Sequence, residues 1–275
     1  TYLLTRERHS NNSNPLYAQR IEKDGKLNPK KKALTSTRVN TKKSNYYEHI
    51  SGASVLLHSI SPDKSKIAIA VKCELQKYKS KLLVKVYNTD LSLVYSDSLS
   101  VDEVQGYKDL IVDNDGTCYL TTQAYNANKT FTSFYALTDN HYITVFSKQG
   151  PQQTMLDLKD CYISDSHTLF LKNGDIQIVG FYFDVTTGIN GMFYQTLESG
   201  ILREKNTNFT SFTYEHLISE AYPFHYKWQT KLQKNLGVPP YLKGISFNSA
   251  IETDDGGRII IGQIIRDQIN GPSII

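Results

Sequence analysis

The chain has 275 residues, of which 39% are hydrophobic and 21% charged, with 19 Tyr and a formal net charge of +4. No run of 18 apolar residues occurs, which excludes a helical membrane span of ordinary length. The moderate charge and abundant tyrosine suit a β protein of one large or two ordinary domains.

Residues 1–50 open with strand-like segments. Residues 2–8 read as the second strand of a sheet, 16–21 as a third and 32–35 as a fourth, with Asp24-Gly25 as a turn. The stretch from Arg20 to Lys43 is strongly basic, with Lys30, Lys31 and Lys32 at its centre and only Glu22 and Asp24 against them. Such a stretch serves contact with anionic lipid, polysaccharide or nucleic acid. It equally serves a solvated sheet edge, where lysine blocks edge-to-edge pairing. It has no helical stripe and no interleaved aromatics before Tyr46-Tyr47, so a nucleic-acid groove is not expected.

A hairpin pattern then recurs. Residues 55–60 and 66–71 flank Ser61-Pro62-Asp63-Lys64-Ser65; 110–112 and 118–120 flank Asp113-Asn114-Asp115-Gly116. Residues 167–171 and 175–180 flank Lys172-Asn173-Gly174; 247–251 and 258–262 flank Thr253-Asp254-Asp255-Gly256-Gly257. Apolar run, Asn/Asp-Gly turn, apolar run is the strongest short-range hairpin signal. With Ser65, Gly116, Gly174 and Gly257 as anchors, the repeat is about 50 to 60 residues, and its last step is longer by roughly 30. Two more strand-like runs follow each of the first three hairpins: 81–87 and 91–95, 141–146 and 154–158, 191–197 and 201–204.

Residues 126–138 form a long excursion carrying Phe131, Phe134 and Tyr135. Residues 209–244 interrupt the repeat with two helical patterns. In the second, Trp228, Leu232 and Leu236 share one face, and Gly237 stands at its end. Together with Phe224 and Tyr226, the single Trp228 makes the strongest aromatic anchor for a partner.

Four short strands per repeat of this length is the blade of a β-propeller. The expected fold is therefore all-β: a single propeller unit over 1–275, an arc of about four to five four-stranded blades, with one helical insertion at 209–244. A closed ring of six to eight such blades would need more than about 300 residues. Both ends are therefore expected to be cut within a blade. The chain starts with Thr and shows no basic-plus-apolar leader, so it reads as a processed chain or a fragment.

Through ISPDKSKIAIA, IVDNDGTCYL, FLKNGDIQIVG and IETDDGGRIIIG, the chain resembles the bladed repeat propellers of bacterial envelope and secreted proteins, in the broad NHL-like and kelch-like class. No Trp-Asp dipeptide closes a blade, and the Gly256-Gly257 pair occurs once. The resemblance implies an exported setting, periplasmic or at the cell surface, and an assembled complex at the outer membrane.

Motif chemistry is sparse. Cys73, Cys118 and Cys161 have no metal-ligand spacing, and Cys118 is expected to be a buried small hydrophobe. Asp113 and Asp115 lack the further oxygen ligands of a calcium loop. His58 and His167 fall near first strands, the strands that line the central channel of a propeller. No nucleophile elbow, P-loop or His-Glu-x-x-His occurs. No catalytic residue, cofactor or metal is assigned. The leading expectation is a non-catalytic scaffold for a protein or glycan partner, with Trp228, Phe224 and Tyr226 as anchors and Lys30, Lys31 and Lys32 at the rim. The first alternative is a propeller glycoside hydrolase or lyase using strand-end acids among Asp109, Asp165 and Asp175, since such chemistry needs two facing carboxyl groups. The second is a polyanion-binding protein using the basic stretch.

Overall fold

The computed structural model describes residues 2–6, 16–35, 56–76, 79–101, 104–125, 140–158, 161–184, 190–212 and 245–264. These residues are all-β. The first sheet contains β1 (Tyr2–Arg6), β2 (Leu16–Ile21) and β3 (Leu27–Thr35). The second contains β4 (Leu56–Ile60), β5 (Lys66–Gln76), β6 (Lys79–Asn88) and β7 (Leu93–Val101). The third contains β8 (Val104–Val112), β9 (Cys118–Tyr125), β10 (His141–Phe146) and β11 (Gln152–Met155). The fourth contains β12 (Cys161–Phe170), β13 (Ile176–Asp184), β14 (Asn190–Leu197) and β15 (Glu204–Phe212). The fifth pairs β16 (Ile245–Glu252) with β17 (Arg258–Ile264). Each sheet is an antiparallel meander in chain order.

The first turns follow the expected chemistry. Gly116 sits at φ 92° and donates to Asp113 O, while the Asp113 carboxylate accepts from Thr117 N at 2.7 Å. The Asp113 side chain thus closes a turn, the service Asp performs in such loops. Two anchors shift by one residue from the sequence reading. The left-handed residues are Lys64, at φ 62°, rather than Ser65, and Gly256, at φ 81°, rather than Gly257.

Three strand assignments also change. The outer strand of the fourth sheet starts at Glu204, not at residue 201, and runs to Phe212, so 209–212 are strand rather than the start of an insertion. The outer strand of the second sheet starts at Leu93 rather than 91. That of the third sheet spans Gln152–Met155 rather than 154–158. The reason is shared. Leu91, Leu202, Leu156 and Leu158 are apolar because they are buried in turns and connections between sheets, not because they lie in strands. The rest of the helical insertion expected at 209–244, residues 213–244 with Phe224, Tyr226 and Trp228, and the 126–138 excursion lie outside the described residues.

The sheets stack in sequence. First strand packs near first strand: β4 against β8, β8 against β12, β12 against β16. Ile67, Ile69, Val71 and Tyr87 of the second sheet close over Ala18 and Leu34 of the first. Its other face, with Ala68, Ala70 and Val84, meets Leu110, Leu120 and Phe146 of the third. Tyr119, Ile143 and Val145 then meet Ile176, Ile178 and Phe193 of the fourth. Leu169 and Val179 meet Ala250 and Ile260 of the fifth. With both faces covered, the strands read as near-continuous apolar runs instead of alternating ones. Each fully buried aliphatic or aromatic side chain here stabilises the fold by roughly 1.5 to 3 kcal/mol.

Tyrosines tie the sheets together through their polar tips, each with an apolar body in the core. Tyr87 Oη donates to Leu34 O at 2.7 Å, and Tyr107 Oη to Val71 O at 2.8 Å. Gly200 N donates to Tyr119 Oη at 3.0 Å.

Candidate functional site

Among the described residues, a group of ionisable side chains lies where β8 faces β12. A β-bulge makes it. The β8–β9 register steps from Tyr107 to Asp109, so Lys108 has no cross-strand partner; the β12–β13 register steps likewise from Ile163 to Asp165. Bulges bend the strand and re-aim the side chains beside them. Lys108, Asp109 and Asp165 are the residues re-aimed.

The Asp109 carboxylate accepts three hydrogen bonds: from His167 Nδ1 at 2.8 Å, from Thr168 N at 2.7 Å and from its own neighbour Leu110 N at 2.9 Å. The Thr168 bond matters for the fold, because β12 is the edge strand of its sheet and its outward N–H groups have no ladder partner. Beneath it, the Thr121 and Thr168 hydroxyls share a buried bond of 2.7 Å. Lys108 Nζ lies 3.3 Å from Asp165 Oδ1.

His167 is held above the usual histidine range, chiefly by its hydrogen bond to Asp109; burial, the next largest effect, opposes this, and the Asp109 and Asp165 charges add to the rise. The bond to Asp109 places a proton on Nδ1 of His167. His141 behaves oppositely. Burial, assisted by the Lys108 ammonium, pushes it down to about 3, against a weaker pull from the Ile163 backbone. That backbone contact falls short of hydrogen-bond geometry: the ring is 2% exposed, and neither nitrogen has a hydrogen-bond partner.

The structure therefore brings together Asp109, Asp165 and His167 from the sequence reading. His58 is not part of the group; it is exposed on β4. Asp175 stands beside the 171–175 turn, with both carboxylate oxygens 2.7 Å from Lys205 Nζ. Lys108 and His141 were missed. The bulge that turns Lys108 toward Asp165 has no sequence signature, and His141 reads as an ordinary strand residue.

Lys30, Lys31 and Lys32 lie exposed on the edge strand β3. Lys31 Nζ is 5.9 Å from the centre of the Tyr17 ring, and Lys32 Nζ donates to Leu91 O of the second sheet. Cys118 is fully buried, and burial pushes its thiol up to about 12, as befits an inert packing residue. A separate cleft of about 470 Å³ opens at the turn end, lined by Tyr95, Asp115, Thr117, Lys148, Gln149 and Gly200. Among the described residues no helix is long and apolar enough to cross a membrane, and no three His, Cys, Asp or Glu side chains group to hold a metal ion.

No protein-family model and no curated protein matches the sequence. Among solved structures, two variants of the Synechocystis apocarotenoid oxygenase align at 10% identity with a TM-score of 0.36. The alignments cover 71% of this chain and 46% of each of those, so this chain spans less than half the length of the structures it matches. A likeness at that level carries no argument about architecture or activity.

Proposed function

We propose that the chain is an arc of a β-propeller and acts as a non-catalytic scaffold for a protein or glycan partner. The propeller reading is supported by the succession of first strands, β4 to β8 to β12 to β16, each in a meander packed face to face with the next. A further pattern agrees with it. Ile251, Ile259 and Ile261 leave an apolar face about half exposed on the fifth sheet. They stand at the strand positions where Ile111, Tyr119 and Thr121 of the third sheet face the fourth.

The observation that carries the scaffold reading is the pairing of the inner carboxylates. Asp109 is committed to His167 and to the Thr168 backbone, and Asp165 to Lys108. Glycoside hydrolysis needs one protonated acid facing a free carboxylate. Here both carboxylates are bound by cations and serve to join adjacent sheets. The exported setting and the assembled complex rest on the sequence resemblance.

The test is to offer the chain a panel of polysaccharides and aryl glycosides, reading retention and turnover separately. Retention without turnover is expected. Turnover lost in Asp165→Asn or Asp109→Asn would overturn the scaffold reading in favour of the enzyme.

A further inference from the structure

The outer strands of the sheets differ in how they guard their edges. An outer strand presents a row of backbone N–H and C=O groups with which a further strand can pair. Pro29 and the lysines at 30, 31 and 32 guard β3. The strand β11 is only four residues long. Asp97 stands at the centre of β7. None of these guards protects the middle of β15. Among the described residues no strand lies beside its outer edge. A register step leaves Lys205 out of the β14 ladder, and its ammonium turns to Asp175. The regular run that follows, Asn206 to Phe212, holds no proline and no charge. Asn206 and residues 208–211 are exposed.

A second observation concerns Phe209, the middle residue of that run. Its ring stands edge-on to the buried Tyr182, with centres 5.1 Å apart and planes at 83°, yet Phe209 remains 46% exposed. An aromatic side chain held in place on an unpaired edge, half in water, is an anchor without a counterpart. Antiparallel pairing of a strand with its own copy is two-fold symmetric. Centred on residue 209, it sets Phe209 opposite Phe209, with Cβ atoms about 4.5 to 5.5 Å apart, where aromatic pairs are stabilising. Asn208 then meets Thr210, Thr207 meets Ser211 and Asn206 meets Phe212. No like charges face each other. The same operation on β7 would bring two Asp97 carboxylates together.

We propose that β15 pairs antiparallel with β15 of a second copy of the chain, about a two-fold axis at Phe209, and joins the two fourth sheets into one continuous sheet. The occupant is a second copy because the run complements itself in hydrogen bonding, in charge and in its aromatic anchor. The contact is isologous, so it closes at a dimer and does not propagate. A ladder of this length is a small interface, and the dimer is weak and reversible. The pairing stands independently of the scaffold reading. Where both hold, each partner-binding surface is presented twice, which raises avidity without any new contact.

The test is sedimentation equilibrium of the 275-residue chain over a roughly hundredfold range of concentration, with amide hydrogen exchange at both ends of the range. A monomer–dimer equilibrium is expected, with the amides of 206–212 exchanging more slowly in the concentrated sample and those of β7 unchanged. In the pair the two Asn208 side chains are diagonal neighbours on one face. Asn208→Lys and Asn208→Asp should each weaken dimerisation by about tenfold or more, and an equimolar mixture of the two should restore it, because unlike charges then meet. Gln149→Lys, exposed in the turn between β10 and β11, adds the same charge away from the edge and should leave dimerisation unchanged. Exchange in the wild-type chain keeps the test valid if a variant folds poorly. A monomer at every concentration overturns the proposal. So does a dimer whose 206–212 amides are unprotected, or one that Asn208→Lys leaves as tight. A monomer with those amides slow throughout has its edge covered from within the chain, and that equally overturns the second copy as occupant. None of these outcomes touches the scaffold reading, which glycan retention and turnover decide.

Discussion

His167 donates through Nδ1 to Asp109 at 2.8 Å, across the junction of two sheets, and the same carboxylate oxygen accepts the N–H of Thr168 at 2.7 Å. One side chain thus satisfies a cation and an edge-strand amide together. Asp109→Ala should destabilise the fold by about 2 to 4 kcal/mol, since it leaves both donors without their acceptor. Asp109→Asn retains one acceptor and should cost about half as much. Urea denaturation checks both. Equal costs for the two variants would show that the acceptor kept by asparagine contributes nothing and that the carboxylate's charge carries the effect.

The two histidines of this junction should give stability opposite slopes with pH. His141 has a folded pKa of about 3 against an ordinary 6.5. The unfolded chain binds more protons between those values, so its contribution is fully present above pH 6.5 and is lost as pH falls toward 3. His167 is raised, so its contribution is fully present below 6.5 and is lost as pH rises through its folded value. Stability from this pair should therefore peak near neutrality. His141→Phe should flatten the acid limb and His167→Gln the alkaline limb. Thermal midpoints measured across pH 4 to 9 check this; parallel curves for wild type and both variants would refute it.

Gly180 lies opposite Phe193 across β13 and β14. A Cβ at 180 would stand 2.2 Å from the Phe193 ring and 2.7 Å from Asp165 O. The glycine therefore makes room for an aromatic ring that is fully buried at the third-to-fourth sheet contact. Gly180→Ala should cost about 1 to 3 kcal/mol as an overpacked core. Pairing it with Phe193→Leu should cost less than the sum of the two single changes, because they share one space. Additive costs would show that the ring does not set the requirement.

Leu202 adopts φ 54° while remaining 7% exposed. A left-handed L-residue costs about 1 to 2 kcal/mol, and burial of the side chain between the third and fourth sheets offsets it. Both Leu202→Ala and Leu202→Gly should be destabilised, the loss of a buried leucine being worth about 2 to 5 kcal/mol. The alanine variant should be the less stable of the two, by about 1 kcal/mol, because it keeps the strained backbone. A glycine variant less stable than the alanine would show that the left-handed backbone carries no penalty at this position.

Much of the sheet pattern was legible from local rules. Residues 113–116 and 172–174 announced tight turns because Asn, Asp and Gly alone accept the required angles cheaply, and the flanking apolar runs fell into strands. The outer strand β15 was not legible. Its residues, Glu204 to Phe212, are mostly polar and exposed, so no buried face imprints a period on them. Leu91 and Leu202 misled for the converse reason, being apolar in turns because a neighbouring sheet covers them.

The residues alone determined an all-β chain of repeated hairpins, since turn chemistry and strand periodicity act over a few neighbouring positions. Tertiary structure decided which charges meet. Lys108 and Asp165 are 57 residues apart, and Asp109 accepts from Thr168 across 59. Those encounters depend on bulges in β8 and β12 and on the order in which sheets stack, and no local stretch of sequence encodes either.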